Sequence, residues 1–192
     1  MQLRMMHYYD LDSALNTLRE GGNLLLPTDT IWSIACKATD ERAVQKMEQT
    51  KERSGPKPCI VLVDSLEMLK RCVTHVHPRI ETLLHFHQRP LTVLYKPRPI
   101  FPTRILGTDG TVAIRVVQDE SCKALIQSFG HPLAVTAAKF PQEPLPYYFS
   151  DISILIKERV DFVFDLPSEK PLDQRSVIAR LSERGELEFL RE

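Results

Sequence analysis

Along this chain the hydrophobic positions switch repeatedly between a period near two and a period near 3.6, as expected of strands interleaved with helices. Asp12 or Ser13 is placed to cap a first helix, Ala14–Arg19, with Gly21-Gly22 as its stop. Strands follow at Asn23–Leu26 and Ile31–Ala35, separated by the polar turn Pro27-Thr28-Asp29-Thr30. Asp40 caps a helix that sets Ala43, Val44 and Met47 on one face and runs to Lys51, before the breaker-rich stretch 53–58. Cys59–Val63 is continuously apolar, the mark of a strand buried on both faces.

Helices are expected at Ser65–Val73 and Pro78–Phe86, then a strand at Leu91–Tyr95. The proline-punctuated loop Lys96–Gly110 follows, of a length more often functional than idle. Next come a strand at Thr111–Val117, a helix at Glu120–Phe129, a strand at Pro132–Thr136 and a second proline-rich loop to Phe149. A helix at Asp151–Arg159, a strand at Val160–Phe164 and a closing hairpin, Ser176–Leu181 with Glu186–Leu190, complete the pattern. The reading is an α/β (α+β) fold, a twisted mixed sheet flanked by helices. No repeat or linker divides residues 1–192, so one domain is expected.

Composition narrows the function classes. Lys and Arg number 25 against 25 Asp and Glu, which excludes a globally basic nucleic-acid binder but leaves room for a local basic groove. The strongest apolar run, Ile60–Val63, is strand-sized, so no membrane span is expected, and the N-terminus has no secretory h-region. Four scattered cysteines without a C-x-x-C read as reduced thiols of a cytoplasmic protein.

Three groups could carry chemistry. Lys51, Arg53 and Lys57 bracket a loop before a buried strand and would suit a polyphosphate, although a solvated helix end looks the same in sequence. Thr28, Asp29 and Thr30 stand at a strand end, where ligands of α/β sheets bind. Arg115 shares an otherwise apolar strand face with Ala113 and Val117 and demands an anion, either an internal carboxylate or one from a substrate. His75-x-His77 and His85-x-His87 diverge on a helix, so no metal site is expected. Phosphate-binding P-loop, dinucleotide and nucleophile-elbow motifs are all missing, so any ATP site must be built otherwise.

In order, these segments resemble the YrdC/YciO family of threonylcarbamoyl-AMP synthases, in a single-domain form. The stretch Leu24-Leu25-Leu26-Pro27-Thr28-Asp29-Thr30-Ile31-Trp32 is similar to the family's strand, P-T-[DE]-T and aromatic; Ala35–Thr39 is similar to its G-C-D-A-T. Lys51-x-Arg53, Lys57, Pro90-Leu91-Thr92, Thr111–Val116, Arg175–Ile178 and Gly185–Arg191 follow at matching places.

The resemblance implies a twisted sheet with a concave basic cavity, and synthesis of threonylcarbamoyl-AMP and pyrophosphate from L-threonine, bicarbonate or CO2, and ATP. The product would feed the t6A modification at position 37 of tRNA through a downstream transferase complex. Arg115, Thr30 and Ser176 would bind threonine; Lys51, Arg53, Lys57, Thr111 and Arg191 would bind ATP, with Mg2+ on its phosphates and no protein ligand assigned to the ion. No acid–base residue is implied. Where the family has S-T-S-A-N, this chain has Val135, Thr136, Ala137, Ala138 and Lys139, and Ser33 replaces a glycine beside the pocket. A working enzyme with a repaired pocket is one reading. The others are a YciO-like relative and an impaired homologue that binds nucleotide, tRNA or double-stranded RNA.

Overall fold

Parallel and antiparallel pairings coexist in a single sheet. In the computed structural model, residues 8–52, 55, 57–163, 175–182 and 185–191 are described. The strands are β1 (Leu24–Leu26), β2 (Ser33–Lys37), β3 (Ile60–Val63), β4 (Leu91–Tyr95), β5 (Val112–Val116), β6 (Leu133–Ala137), β7 (Phe162–Val163), β8 (Val177–Leu181) and β9 (Leu187–Arg191). Their spatial order is β7-β1-β2-β6-β3-β5-β4-β8-β9. Pairs β1–β7, β3–β5 and β4–β8 run parallel and the other neighbours antiparallel. Helices α1 (Tyr8–Arg19), α2 (Glu41–Thr50), α3 (Leu66–Cys72), α4 (Pro78–Phe86), α5 (Glu120–Phe129) and α6 (Ile154–Arg159) flank it, as the sequence pattern implied. None of the described helices is long and apolar enough to cross a membrane.

Local chemistry accounts for the element ends. Asp40 caps α2, accepting from the N–H groups of Arg42 and Ala43, and Asp119 caps α5 through Cys122 N–H. Gly130 ends α5 at φ 74°, a left-handed conformation that glycine adopts without Cβ strain. Helix α1 begins earlier than the expected Ala14, so Asp12 and Ser13 lie inside it rather than capping it. The strand expected from Ile31 starts instead at Ser33, because Thr28 ties down the turn. Its hydroxyl receives Thr30 and Ile31 N–H and reaches Ile31 O at 2.9 Å. The helix expected from Asp151 begins at Ile154, since the Asp151 carboxylate accepts from Tyr147 and Tyr148 N–H and holds a 3-10 turn at Phe149–Asp151.

The core lies between sheet and helices and contains Trp32, fully buried against Phe149 with ring centroids 5.0 Å apart. In the closing hairpin, Ile178 faces Arg191 while Ala179 faces Phe189, so Leu190 is an extra residue in a β-bulge. The bulge changes the alternation. Phe189 joins Leu91 and Val177 in a surface groove, whereas Arg191 joins Ser176 in a cavity elsewhere.

Candidate functional site

That cavity, about 230 Å³, is lined from β3, β5, β6 and β9 and from the segments just before β2 and β8. The turn before β2 supplies Thr30, β5 supplies Arg115, β6 supplies Val135 to Ala137, and the closing hairpin supplies Arg175, Ser176 and Arg191. A second cavity of about 260 Å³ shares Thr136, Ala137 and Leu145 with it and adds Lys51, Lys57 and Lys139. The two form one cleft. Among the described residues, all six charged ones lining it are basic. Net neutrality of the chain therefore conceals a concentrated positive field, the arrangement that gathers anions.

Arg115 is the most deeply placed of these charges, its side chain 2% exposed. Its Nη2 lies 3.0 Å from Oδ1 of Asp29, itself 6% exposed. The internal-carboxylate alternative thus holds, yet Arg115 also lines the cavity. Burial pulls its guanidinium below the usual range, and the Asp29 charge pushes it back. Arg115 Nε has no hydrogen-bond partner, and Asp29 Oδ1 takes no aligned hydrogen bond despite its nearness to Nη2. Asp29 Oδ2 accepts from Gln118 N–H at 3.3 Å, which moors the carboxylate from behind.

Hydroxyls complete this end. Thr30 and Thr28 share a hydrogen bond of 3.0 Å. Ser176 Oγ receives Thr92 Oγ1 at 2.9 Å and Arg191 Nη2 at 3.1 Å, while Arg191 also donates Nε and Nη2 to Ser176 O. Burial, then the nearby charges of Arg175 and Arg115, lower the Arg191 guanidinium from its ordinary value. Positive groups this close favour an anion between them.

At the other end Lys51, the C-cap residue of α2, is buried and not a solvated helix end. Its Nζ donates to Thr136 Oγ1 at 2.8 Å. Lys57 is exposed at the rim. Arg53 lies outside the described residues. Thr111 is not brought to the cleft: it lines neither cavity, and its hydroxyl donates to Asp109 at 2.7 Å in the turn before β5.

The altered stretch forms the shared wall. Val135 and Ala137 present only carbon, Thr136 its hydroxyl, and Ala138 is buried with its N–H on Trp32 O. Lys139 lines the second cavity with its ammonium tied to its own loop. Its Nζ donates to Phe140 O at 2.8 Å and Pro141 O at 3.1 Å. Ser33 does not crowd the pocket, since it lines neither cavity and its Oγ turns to Ile31 O at 3.2 Å. Sequence reasoning passed over Arg175 as a site residue and never paired Asp29 with Arg115. The signals were present: one charge beside Ser176, and one carboxylate at a strand end with a buried arginine in need of an anion.

Comparison with known proteins agrees with this architecture. The chain is 27% identical over 164 residues to a threonylcarbamoyl-AMP synthase of Xanthomonas campestris pv. campestris, covering 84% of this chain and 88% of that one. It is 30% identical over 134 residues to the threonylcarbamoyl-AMP synthase of Pyrococcus abyssi, covering 69% of this chain but only 39% of that longer protein. The crystal structure of P. abyssi Sua5 complexed with L-threonine superposes with a TM-score of 0.85 at 24% identity, over 96% of this chain and 54% of the other, which shows a shared fold. The model of the Sua5/YciO/YrdC family, described as telomere recombination, matches residues 16–192. With nearly the whole chain matched, and its basic cleft built on the fold of Sua5, the protein belongs to the Sua5/YciO/YrdC family.

Proposed function

We propose that this protein is an L-threonylcarbamoyladenylate synthase, joining L-threonine, bicarbonate or CO2, and ATP into threonylcarbamoyl-AMP and pyrophosphate for tRNA t6A37 modification. The observation that carries the reading is the cleft itself. A buried arginine with an unpartnered Nε stands at one end, and Lys51 and Lys57 stand at the other. One such arginine suits a single carboxylate, whereas a run of cations suits a polyphosphate.

In this reading Arg115 holds the threonine carboxylate and Thr30 and Ser176 surround the amino acid. Lys51, Lys57 and Arg191 grip the ATP phosphates, with Arg53 beside them in the chain. The amine of threonine adds to CO2 and gives up a proton to water, forming a carbamate; with bicarbonate as the source, a water molecule leaves instead. A carbamate oxygen then attacks the α-phosphorus, and the bond to the β-phosphate oxygen breaks to release pyrophosphate. The carbamate, the triphosphate and the departing pyrophosphate are all anionic, so fixed cations and orientation supply the catalysis and no acid–base residue is assigned. Among the described residues no carboxylate lines the cleft, so these residues do not fit a resident magnesium ion. Magnesium would arrive on the phosphates of ATP.

Purified protein incubated with ATP, magnesium, bicarbonate and L-threonine should yield threonylcarbamoyl-AMP and pyrophosphate on chromatography, and neither when threonine is omitted. Bound ATP without threonine-dependent product would instead favour an impaired homologue, a second reading supported by the carbon wall of Val135 and Ala137.

A further inference from the structure

The three arginines of the main cavity are not equivalent. The charge of Arg115 is answered by Asp29, and Arg191 commits Nε and Nη2 to the backbone oxygen and Oγ of Ser176, which leaves Nη1 alone for the phosphate role given above. Arg175 is exposed, lines the same cavity, and has no ion-pair or hydrogen-bond partner among the described residues. It is close enough to Arg191 to depress that guanidinium. Two like-charged arginines lining one cavity are stabilised by an anion held between them.

The wall they face is short of donors. Val135 and Ala137 offer carbon where the family pattern has serine hydroxyls, and Lys139, in place of the asparagine, has its ammonium bound to two carbonyls of its own loop. A triphosphate in this cleft would meet no side-chain donor from Val135 or Ala137. Arg175 lines the same cavity as Val135 and Ala137, and its guanidinium is uncommitted among the described residues.

We propose that Arg175 anchors the triphosphate of the nucleotide, replacing the hydroxyl and amide contacts that Val135, Ala137 and Lys139 do not supply. The inference rests on the ATP-binding reading above. It assigns the phosphate and not the threonine carboxylate to Arg175, because Arg115 already offers a buried, unpartnered Nε for the latter.

The test is calorimetric titration of ATP, and separately of L-threonine, into the full chain and its variants. Arg175→Gln should weaken ATP binding about tenfold or more, the worth of a charge-assisted hydrogen bond, and leave threonine binding within about twofold. Arg175→Lys should retain most of the affinity, because the charge remains. In the triple background Val135→Ser, Ala137→Ser, Lys139→Asn, the same Arg175→Gln change should cost far less. No loss in Arg175→Gln, or an equal loss in both backgrounds, overturns the inference. If the unsubstituted protein binds no ATP, the functional reading itself fails. If it binds ATP and Arg175→Gln binds it equally well, only the role of Arg175 falls.

Discussion

Arg115 Nη2 and Asp29 Oδ1 stand 3.0 Å apart in a nearly dry setting, close in charge but not aligned as a hydrogen bond. A buried pair of this kind adds little net stability, because desolvation of both ions offsets their attraction. Its effect is positional. Asp29, moored by Gln118 N–H, keeps a charged guanidinium at the cavity floor with Nε still free to donate.

Removing one member should therefore be worse than removing both. Arg115→Ala leaves Asp29 buried without its counter-ion and should cost about 3–5 kcal/mol in urea unfolding, along with all threonine-dependent product. The double variant Asp29→Asn, Arg115→Met should recover much of the stability and none of the threonine use. Intact threonine use in Arg115→Ala would remove Arg115 from the site.

Lys51 and Thr136 can be separated in the same way. Lys51→Met deletes a buried charge beside the proposed phosphates and should raise the apparent KM for ATP about tenfold or more. Thr136→Val removes only the hydroxyl that Lys51 meets at 2.8 Å, and its effect on the KM should be much smaller. Equal effects would mean that Lys51 serves packing and not phosphate.

The stability of the chain should fall as it is acidified through the histidine range, and His131 should account for part of that fall. Partial burial and the charge of Lys37 lower its pKa. The unfolded chain, titrating near the ordinary value of about 6.5, then binds more protons than the native one just below that pH. Stability contributed by neutral His131 is present above about pH 6.5 and is lost as pH drops through the lowered folded value. His131→Gln should flatten the dependence of urea midpoints on pH in this window. Lys37→Gln should move the His131 midpoint upward in an NMR titration.

All four cysteines are buried thiols, and burial pushes that of Cys72 up to about 11, so iodoacetamide should label the native protein slowly. Cys59 alone of the four lines the main cavity. In a variant that keeps only Cys59, ATP with threonine should slow labelling further. An unchanged rate would place both ligands elsewhere.

Much of the scaffold was legible because alternation and capping are local. The bounds of β4, α4 and α5 follow from Leu91–Tyr95, Pro78–Phe86 and Glu120–Phe129 as read from the pattern, and Asp40 caps α2 as its position before an apolar face suggested. What escaped depends on distant partners. Simple period-two counting puts Arg191 on the face of Phe189, and only the bulge at Leu190 separates them. Lys51 looked like a solvated helix end because nothing local shows that Thr136 comes to meet it. The pairing of Asp29 with Arg115 joins a turn and a strand on either side of three helices in sequence, so the carboxylate and the arginine were each visible without the bond between them.

The parallel pairing of β4 with β8 has a consequence for how the protein comes into being. Leu91 meets Val177 across the whole intervening chain, and only then can Ser176 and Arg191 close a cavity begun by Thr30. Pairings of such sequence separation form slowly, because the intervening loop must be ordered before any contact rewards it. During synthesis most of the sheet can assemble while the cleft is still missing its last wall. Affinity for the proposed substrates should thus arrive late, making their binding a measure of whether a molecule has finished folding.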